Sequence, residues 1–218
     1  MSTANEPILP AEETPVKDAS RARSIMMWGT IVAALIVIGV IVYIFLYRQP
    51  AIQKGNEAIA EADRIALTEG NDSTSLAAYE SVAANHGFAA GNRAKLECAI
   101  ILYRQGEYQK ALDYVDHYKA TDNVVAAMAL GLKGDCLVNL DRNADALKAF
   151  GKAISKSDNN PQLVPYFMDK KATILVADKN YAEAVNIYKE IEEKYPAYAQ
   201  RAAVESHRIQ AEALAAAK

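Results

Sequence analysis

The chain has few of the residues and none of the patterns that carry catalysis. It has no HExxH, no phosphate-binding glycine loop and no nucleophile elbow. Its three histidines, His86, His117 and His207, are far apart, and none has a metal-type partner four residues on. An enzyme, a metal site and a cofactor are therefore not expected. Lys and Arg total 24 against 27 acidic residues, for a net charge of −3. With no basic stripe, nucleic acid is not an expected partner. The acidic run Glu190, Glu192 and Glu193 reads as a solvated helix face. Only two cysteines occur, Cys98 and Cys136, without a CxxC. They are either buried free thiols behaving as small hydrophobes or a disulfide, which needs Cα atoms within about 7 Å. Gly (10) and Pro (7) are scarce in 218 residues that are 51% apolar, a balance that suits helices.

Residues 1–24 hold Pro7, Pro10 and Pro15 among polar residues and read as a disordered cytosolic arm. Ile25–Tyr47 is then a run of 23 residues without charge or proline. As a helix it reaches about 34 Å, enough to cross a bilayer with some tilt. Trp28 lies near one end and Tyr43 and Tyr47 near the other, where amphipathic rings prefer the interface. A cleaved signal peptide would have a shorter apolar region and a small-x-small site, which Tyr47-Arg48-Gln49-Pro50 does not offer. No cysteine near the run would carry a lipid anchor. Lys17, Arg21 and Arg23 on one side against Arg48 and Lys54 on the other place the N-terminus in the cytoplasm. In a bacterium this makes residues 48–218 a periplasmic domain of an inner-membrane protein.

That domain repeats itself. Gly106-Glu107-Tyr108-Gln109-Lys110-Ala111-Leu112 has near-copies at Asp141–Leu147 and Lys179–Val185. The alanines Ala111, Ala146 and Ala184 are spaced by 35 and 38 residues. A period near 34 residues, made of two helices and a tight turn, marks a helical solenoid. Gly106, Asp141 and Asn180 are expected to break the chain between helices. The alanine lets two backbones approach, and Val115, Phe150 or Tyr188 four residues later fills the space beyond. The region resembles the tetratricopeptide repeat family at Gly106, Tyr108 and Ala111, at Gly134, Ala146, Phe150 and Ala153, and at Tyr181, Ala184, Tyr188 and Pro196, and departs from it at Lys95 and Met168.

The pattern gives an all-α domain of about four helix pairs. Ala51–Thr68 is the first helix, and Asp72 or Ser73 caps the next, which runs to the stop Asn85-His86-Gly87. Full repeats follow at about Asn92–Ala120, Val124–Ser157 and Val164–Tyr195, and Asp158–Pro165 holds the extra residues of the longer period. The Ala-rich stretch after Pro196 reads as a capping helix, with Ala202, Ile209, Ala213 and Leu214 turned to the last repeat.

Residues 96–103 are apolar on more than one side. Cys98 and Leu102 suit the hairpin core, leaving Leu96, Ile100 and Tyr103 as a second stripe. Moving along the repeats adds Met128, Leu132 and Val138, then Tyr166, Thr173 and Val176, with Asp135 and Arg104 as polar points. By resemblance, first helices line a concave face, so these residues would form a partner-binding groove anchored by Tyr103 and Tyr166. Alternatively they pack against neighbouring helices or the cap. The Lys, Arg and Asn set that grips a terminal carboxylate is missing, so an extended apolar segment or amphipathic helix is the better ligand class.

The combination of arm, anchor and repeats is similar to a bacterial family, the membrane-tethered periplasmic ancillary subunit of the Sec translocon. Leu132-Lys133-Gly134-Asp135 and Tyr188–Pro196 add to the resemblance. It implies an adaptor whose partners are translocon subunits, a membrane-anchored peptidyl-prolyl isomerase-type chaperone and emerging secreted chains. The alternatives are a scaffold for envelope or cell-division assembly, and a cytosolic receptor of opposite orientation. If Ile25–Tyr47 is an uncleaved anchor, mature protein keeps residues 1–24 and stays with membranes through carbonate washing. A mature N-terminus at or after residue 48 by mass spectrometry would contradict this.

Overall fold

The structure, a computed structural model, describes residues 16–217, and among these every regular element is helical. It divides at Pro50 into an N-terminal unit and a repeat unit beginning at Ala51. Helix α1 spans Val16–Tyr43 and is followed by a π-helical turn at Ile44–Arg48. The helix thus begins within the stretch expected to be disordered, and residues 1–15 of that arm lie outside the described residues. The described residues hold one helix long and apolar enough to cross a membrane, and none of its apolar window is buried. Trp28, Leu35, Ile36 and Phe45 are among its exposed side chains, and the Tyr43 and Tyr47 rings stack at 6.4 Å.

The repeat unit is a chain of helical hairpins: α2 (Gln49–Glu69) with α3 (Asp72–Asn85), α4 (Phe88–Arg104) with α5 (Tyr108–Asp116), α6 (Asn123–Asn139) with α7 (Asn143–Lys156), and α8 (Leu163–Ala177) with α9 (Tyr181–Lys194). Sequential helices from α3 to α9 pack on one another, and the first helices α4, α6 and α8 also touch in order. This is the expected solenoid. Ala111, Ala146 and Ala184 are fully buried, and Val115, Phe150 and Tyr188 are buried beside them. Each of these larger side chains contributes roughly 1.5–3 kcal/mol by leaving water.

The three hairpin turns are built alike. Gly106, Asp141 and Lys179 each adopt a left-handed conformation, at φ 81°, 55° and 61°, five residues before the buried alanine. The next amide reaches back to close the end of the first helix: Glu107 N–H donates to Leu102 O (2.9 Å), Arg142 to Leu137 O (2.8 Å) and Asn180 to Leu175 O (2.7 Å). This six-to-one bond satisfies carbonyls the helix leaves open. The turn residue of the third copy is therefore Lys179 rather than Asn180, because the alanine register and not residue preference sets its place.

Helix starts also differ from expectation in two places. Asn71, not Asp72 or Ser73, caps α3, its Oδ1 accepting from Ser73 N–H at 2.8 Å. Helix α4 starts at Phe88, four residues early, since Gly91 lets its first turn lie against the end of α3. A Cβ on Gly91 would stand 1.7 Å from the His86 carbonyl oxygen. The connector before α8 is ordered by Asn160, whose Oδ1 accepts from Gln162 N–H (2.9 Å) and Leu163 N–H (3.1 Å).

The C-terminal cap is two helices, α10 (Pro196–Arg201) and α11 (Val204–Ala216), separated by Ala203 at φ 53°. That left-handed residue resets the helical phase. Val204 and Ala211 are the buried positions of α11, whereas Ile209, Ala213 and Leu214, expected to face the last repeat, are exposed. Ala202 is half-buried against α9 and its neighbours. Arg208 secures the cap by pairing with Glu192 of α9 at 3.1 Å and with Glu212 at 2.9 Å.

A left-handed conformation costs a residue with a Cβ about 1–2 kcal/mol, partly offset by the greater unfolded-state freedom of glycine. Lys179→Gly is therefore expected to raise the denaturation midpoint, by the equivalent of about 0.5–1 kcal/mol, and Gly106→Ala to lower it by a similar amount. Shifts of the same sign would contradict the common turn geometry.

Candidate protein-binding face

Counting back from the left-handed turn residue puts equivalent positions of the first helices in register. Thirteen residues back are Arg93, Met128 and Tyr166; nine back, Glu97, Leu132 and Lys170; six back, Ile100, Asp135 and Thr173. These spacings keep one helix face. On it, Ile100, Met128 and Tyr166 are exposed by 37%, 57% and 41%, large for apolar side chains on neighbouring helices. Leu132 is half-buried beneath them, and Thr173 is exposed with its Oγ1 donating to Asp169 O at 3.0 Å.

The remaining residues of the expected groove sit differently. Leu96, Tyr103 and Val138 are half-buried against the main core, and Val176 against the core of the last repeat. They occupy the flank ten and three residues back from the turn, which faces the neighbouring helices. Tyr103 rests on Tyr108 of its own hairpin, ring centres 5.5 Å apart. Sequence reasoning matched apolar residues and so stepped from one flank to the other; counting from the turn would have found Arg93, Glu97 and Lys170, which it missed.

The charges on this face are neutralised within it. Arg93 makes two hydrogen bonds to Asp63 at 2.9 Å and lies 3.6 Å from Glu97. Asp63 also accepts from the Tyr79 hydroxyl at 2.9 Å, and burial followed by that contact raises the phenol well above its usual range. Arg104 pairs with Asp72 at 2.7 Å. Lys170 pairs with Asp135 of the preceding repeat at 2.7 Å, and its ammonium stands 5.2 Å from the Tyr166 ring centre and 5.9 Å from that of Phe150. Burial opposes the Lys170 charge, but the Asp135 hydrogen bond and charge outweigh it and hold the amine above the ordinary lysine value. Asp135 is pushed up by burial, with Lys170 drawing it partly back.

Next to Ile100, a recess of about 590 Å³ opens between α2, α3 and α4. Leu67, Tyr79 and Ile101 contribute apolar surface, and the Arg93–Asp63 and Arg104–Asp72 pairs stand at its walls. Leu67 is 86% exposed. Such a surface can hold apolar side chains of a second chain. No cluster of potential metal ligands occurs among the described residues. Cys98 and Cys136 are free, fully buried thiols, both pushed up to about 12 by burial, with Glu80 and Asp135 respectively the next influence. They are packing residues and poor nucleophiles.

Comparison with known proteins agrees with this architecture. The sequence profile of a family described as Tetratricopeptide repeat-like domain matches residues 55–172. Two solved structures titled as the crystal structure of MamA share the fold. One is 16% identical with a TM-score of 0.55, covering 73% of this chain and 87% of its own. The other is also 16% identical with a TM-score of 0.55, covering 70% and 89%. No curated protein matches by sequence.

Proposed function

Because the chain belongs to the tetratricopeptide repeat-like domain family, we propose that it is an adaptor, tethered to a membrane by α1, that binds a protein partner through the face formed by α4, α6 and α8. The observation that carries this reading is the exposure of Ile100, Met128 and Tyr166 on one face of neighbouring helices, amid charges that already have partners. An exposed cluster of large apolar side chains favours association, and solenoid repeats present such clusters on an extended surface. With its ionic groups already paired, the face suits an apolar segment better than a charged one.

The membrane span rests on length, composition and the lack of burial of the apolar run. The flanking cations support an N-terminus in the cytoplasm and a periplasmic repeat domain. In this setting the adaptor assists passage of secreted proteins at the Sec translocon, beside a membrane-anchored isomerase-type chaperone. That finer assignment rests on the resemblance of anchor and repeats alone.

Two measurements test the proposal. Met128→Glu with Tyr166→Glu is expected to leave helicity unchanged, since both side chains are exposed, but to abolish partner recovery in a pull-down. A photo-crosslinking residue at Ile100 in intact cells is expected to capture a translocon subunit or the isomerase-type chaperone. Capture of an envelope-assembly or cell-division protein instead would replace the secretion reading with the scaffold. Undiminished partner recovery by the double variant would contradict the face itself.

A further inference from the structure

A second surface shares α6 with the first face but is lined by different residues. Between α5, α6 and α7 is a cleft of about 280 Å³ whose walls carry Lys133, Arg142, Lys148 and Lys152 against only two carboxylates, Asp116 and Asp145. None of Ile100, Met128 or Tyr166 lines it. The cleft thus has a surplus of two positive charges in a chain whose net charge is −3. The carboxylates are shared out: Lys133 bonds Asp116, while Arg142 at 3.0 Å and Lys148 at 3.1 Å both take Asp145. Hydrogen bonds from Lys148 and Arg142 hold the Asp145 carboxyl below its ordinary value. Lys152 has no ion-pair partner among the described residues, and Lys148 stands one turn away.

The arrangement is elongated. Lys148 and Lys152 lie one turn apart on one face of α7, and Arg142, just before the helix, reaches Asp145 from its other side, so the cations extend over a rise of about 15 Å from first to last. A single phosphate would reach only part of this row. The cleft also adjoins a second recess of about 270 Å³ and shares Asp116, Leu130 and Lys133 with it. There the walls are Val115, Tyr118, Ala126 and Ala129, an apolar lining without further charge. A cationic row thus leads into an apolar hole.

We infer that this cleft between the second and third hairpins docks an acidic, extended segment of a protein partner, whose carboxylates lie along Arg142, Lys148 and Lys152 and whose apolar side chain enters the recess beside Val115 and Tyr118. The occupant follows from charge and shape: opposite charge for the row, one aliphatic or aromatic group for the hole, and an extended backbone to join them. The site extends the adaptor reading to a second contact, separate from the face of α4, α6 and α8.

The test uses the full chain in neutral detergent micelles and a fluorescent peptide with a Leu-Phe pair followed by glutamates. Saturable binding is expected, weakening as salt is raised. Lys148→Glu with Lys152→Glu should weaken it by about tenfold or more, replacement of Leu-Phe by serines should also weaken it, and Met128→Glu should leave it unchanged. Circular dichroism reports the fold of each variant, and Lys148→Gln with Lys152→Gln supplies a milder pair if the charge reversal unfolds the chain. No binding, or equal affinity in the folded lysine variants, would overturn the inference. So would binding to phosphatidylglycerol vesicles without binding to the peptide, which would assign the row to lipid headgroups. Peptide binding by a chain that crosslinks nothing through Ile100 would keep this cleft and reject the first face; the converse would reject the cleft alone.

Discussion

The spacing of the central repeats depends on a close approach between the backbone of α6 and two aromatic rings. Gly131 and Gly134 lie one turn apart on α6 and are buried. A Cβ on Gly131 would stand 2.3 Å from the Phe167 ring, and one on Gly134 would stand 2.7 Å from the Phe150 ring. The rings come from α8 and α7, are almost wholly buried, and stack with centroids 6.3 Å apart. With no Cβ in the way, each ring lies on bare helix, and three helices of two successive hairpins meet at one seat. The core cluster running from α2 as far as Phe167 and Ile174 passes through this point.

The seat connects packing to surface. Phe150 lies under Lys170, and Tyr166 packs edge-on against Phe167 at 5.1 Å. Fixing the two phenyl rings therefore fixes the Lys170–Asp135 pair and the exposed Tyr166 ring above them. A face whose ions are held by their neighbours has its geometry set before a partner arrives, which reduces the ordering cost of association. The cationic cleft, by contrast, keeps a surplus of positive charge, so the acidic segment proposed for it would supply the complementary sign.

Much of the fold was legible in the sequence, for physical reasons specific to each residue. A buried alanine before a large side chain leaves a repeating mark, so Ala111, Ala146 and Ala184 located the hairpins. Their burial follows from tight packing that admits no larger group. The proposed binding face was only partly legible. Ile100, Met128 and Tyr166 appeared as apolar residues at helical spacing, but so did Tyr103 and Val138, which the hairpins use for their own packing. Lys170 gave no signal as a site residue, because its role comes from Asp135 on the preceding repeat. The break at Ala203 was hidden, since an alanine ordinarily continues a helix. Gly131 gave the least warning: its importance lies in a ring 36 residues away in sequence.

The account stands most directly on the Gly131–Phe167 contact, and a double-mutant cycle in urea, followed by far-UV circular dichroism, measures it. Gly131→Ala alone should cost about 1–3 kcal/mol by overpacking the seat. In combination with Phe167→Leu, which withdraws the ring, its cost should shrink, giving a coupling of about 0.5–3 kcal/mol. An unchanged midpoint for Gly131→Ala, or strict additivity of the two substitutions, would contradict the close approach on which the repeat spacing and the proposed binding face rest.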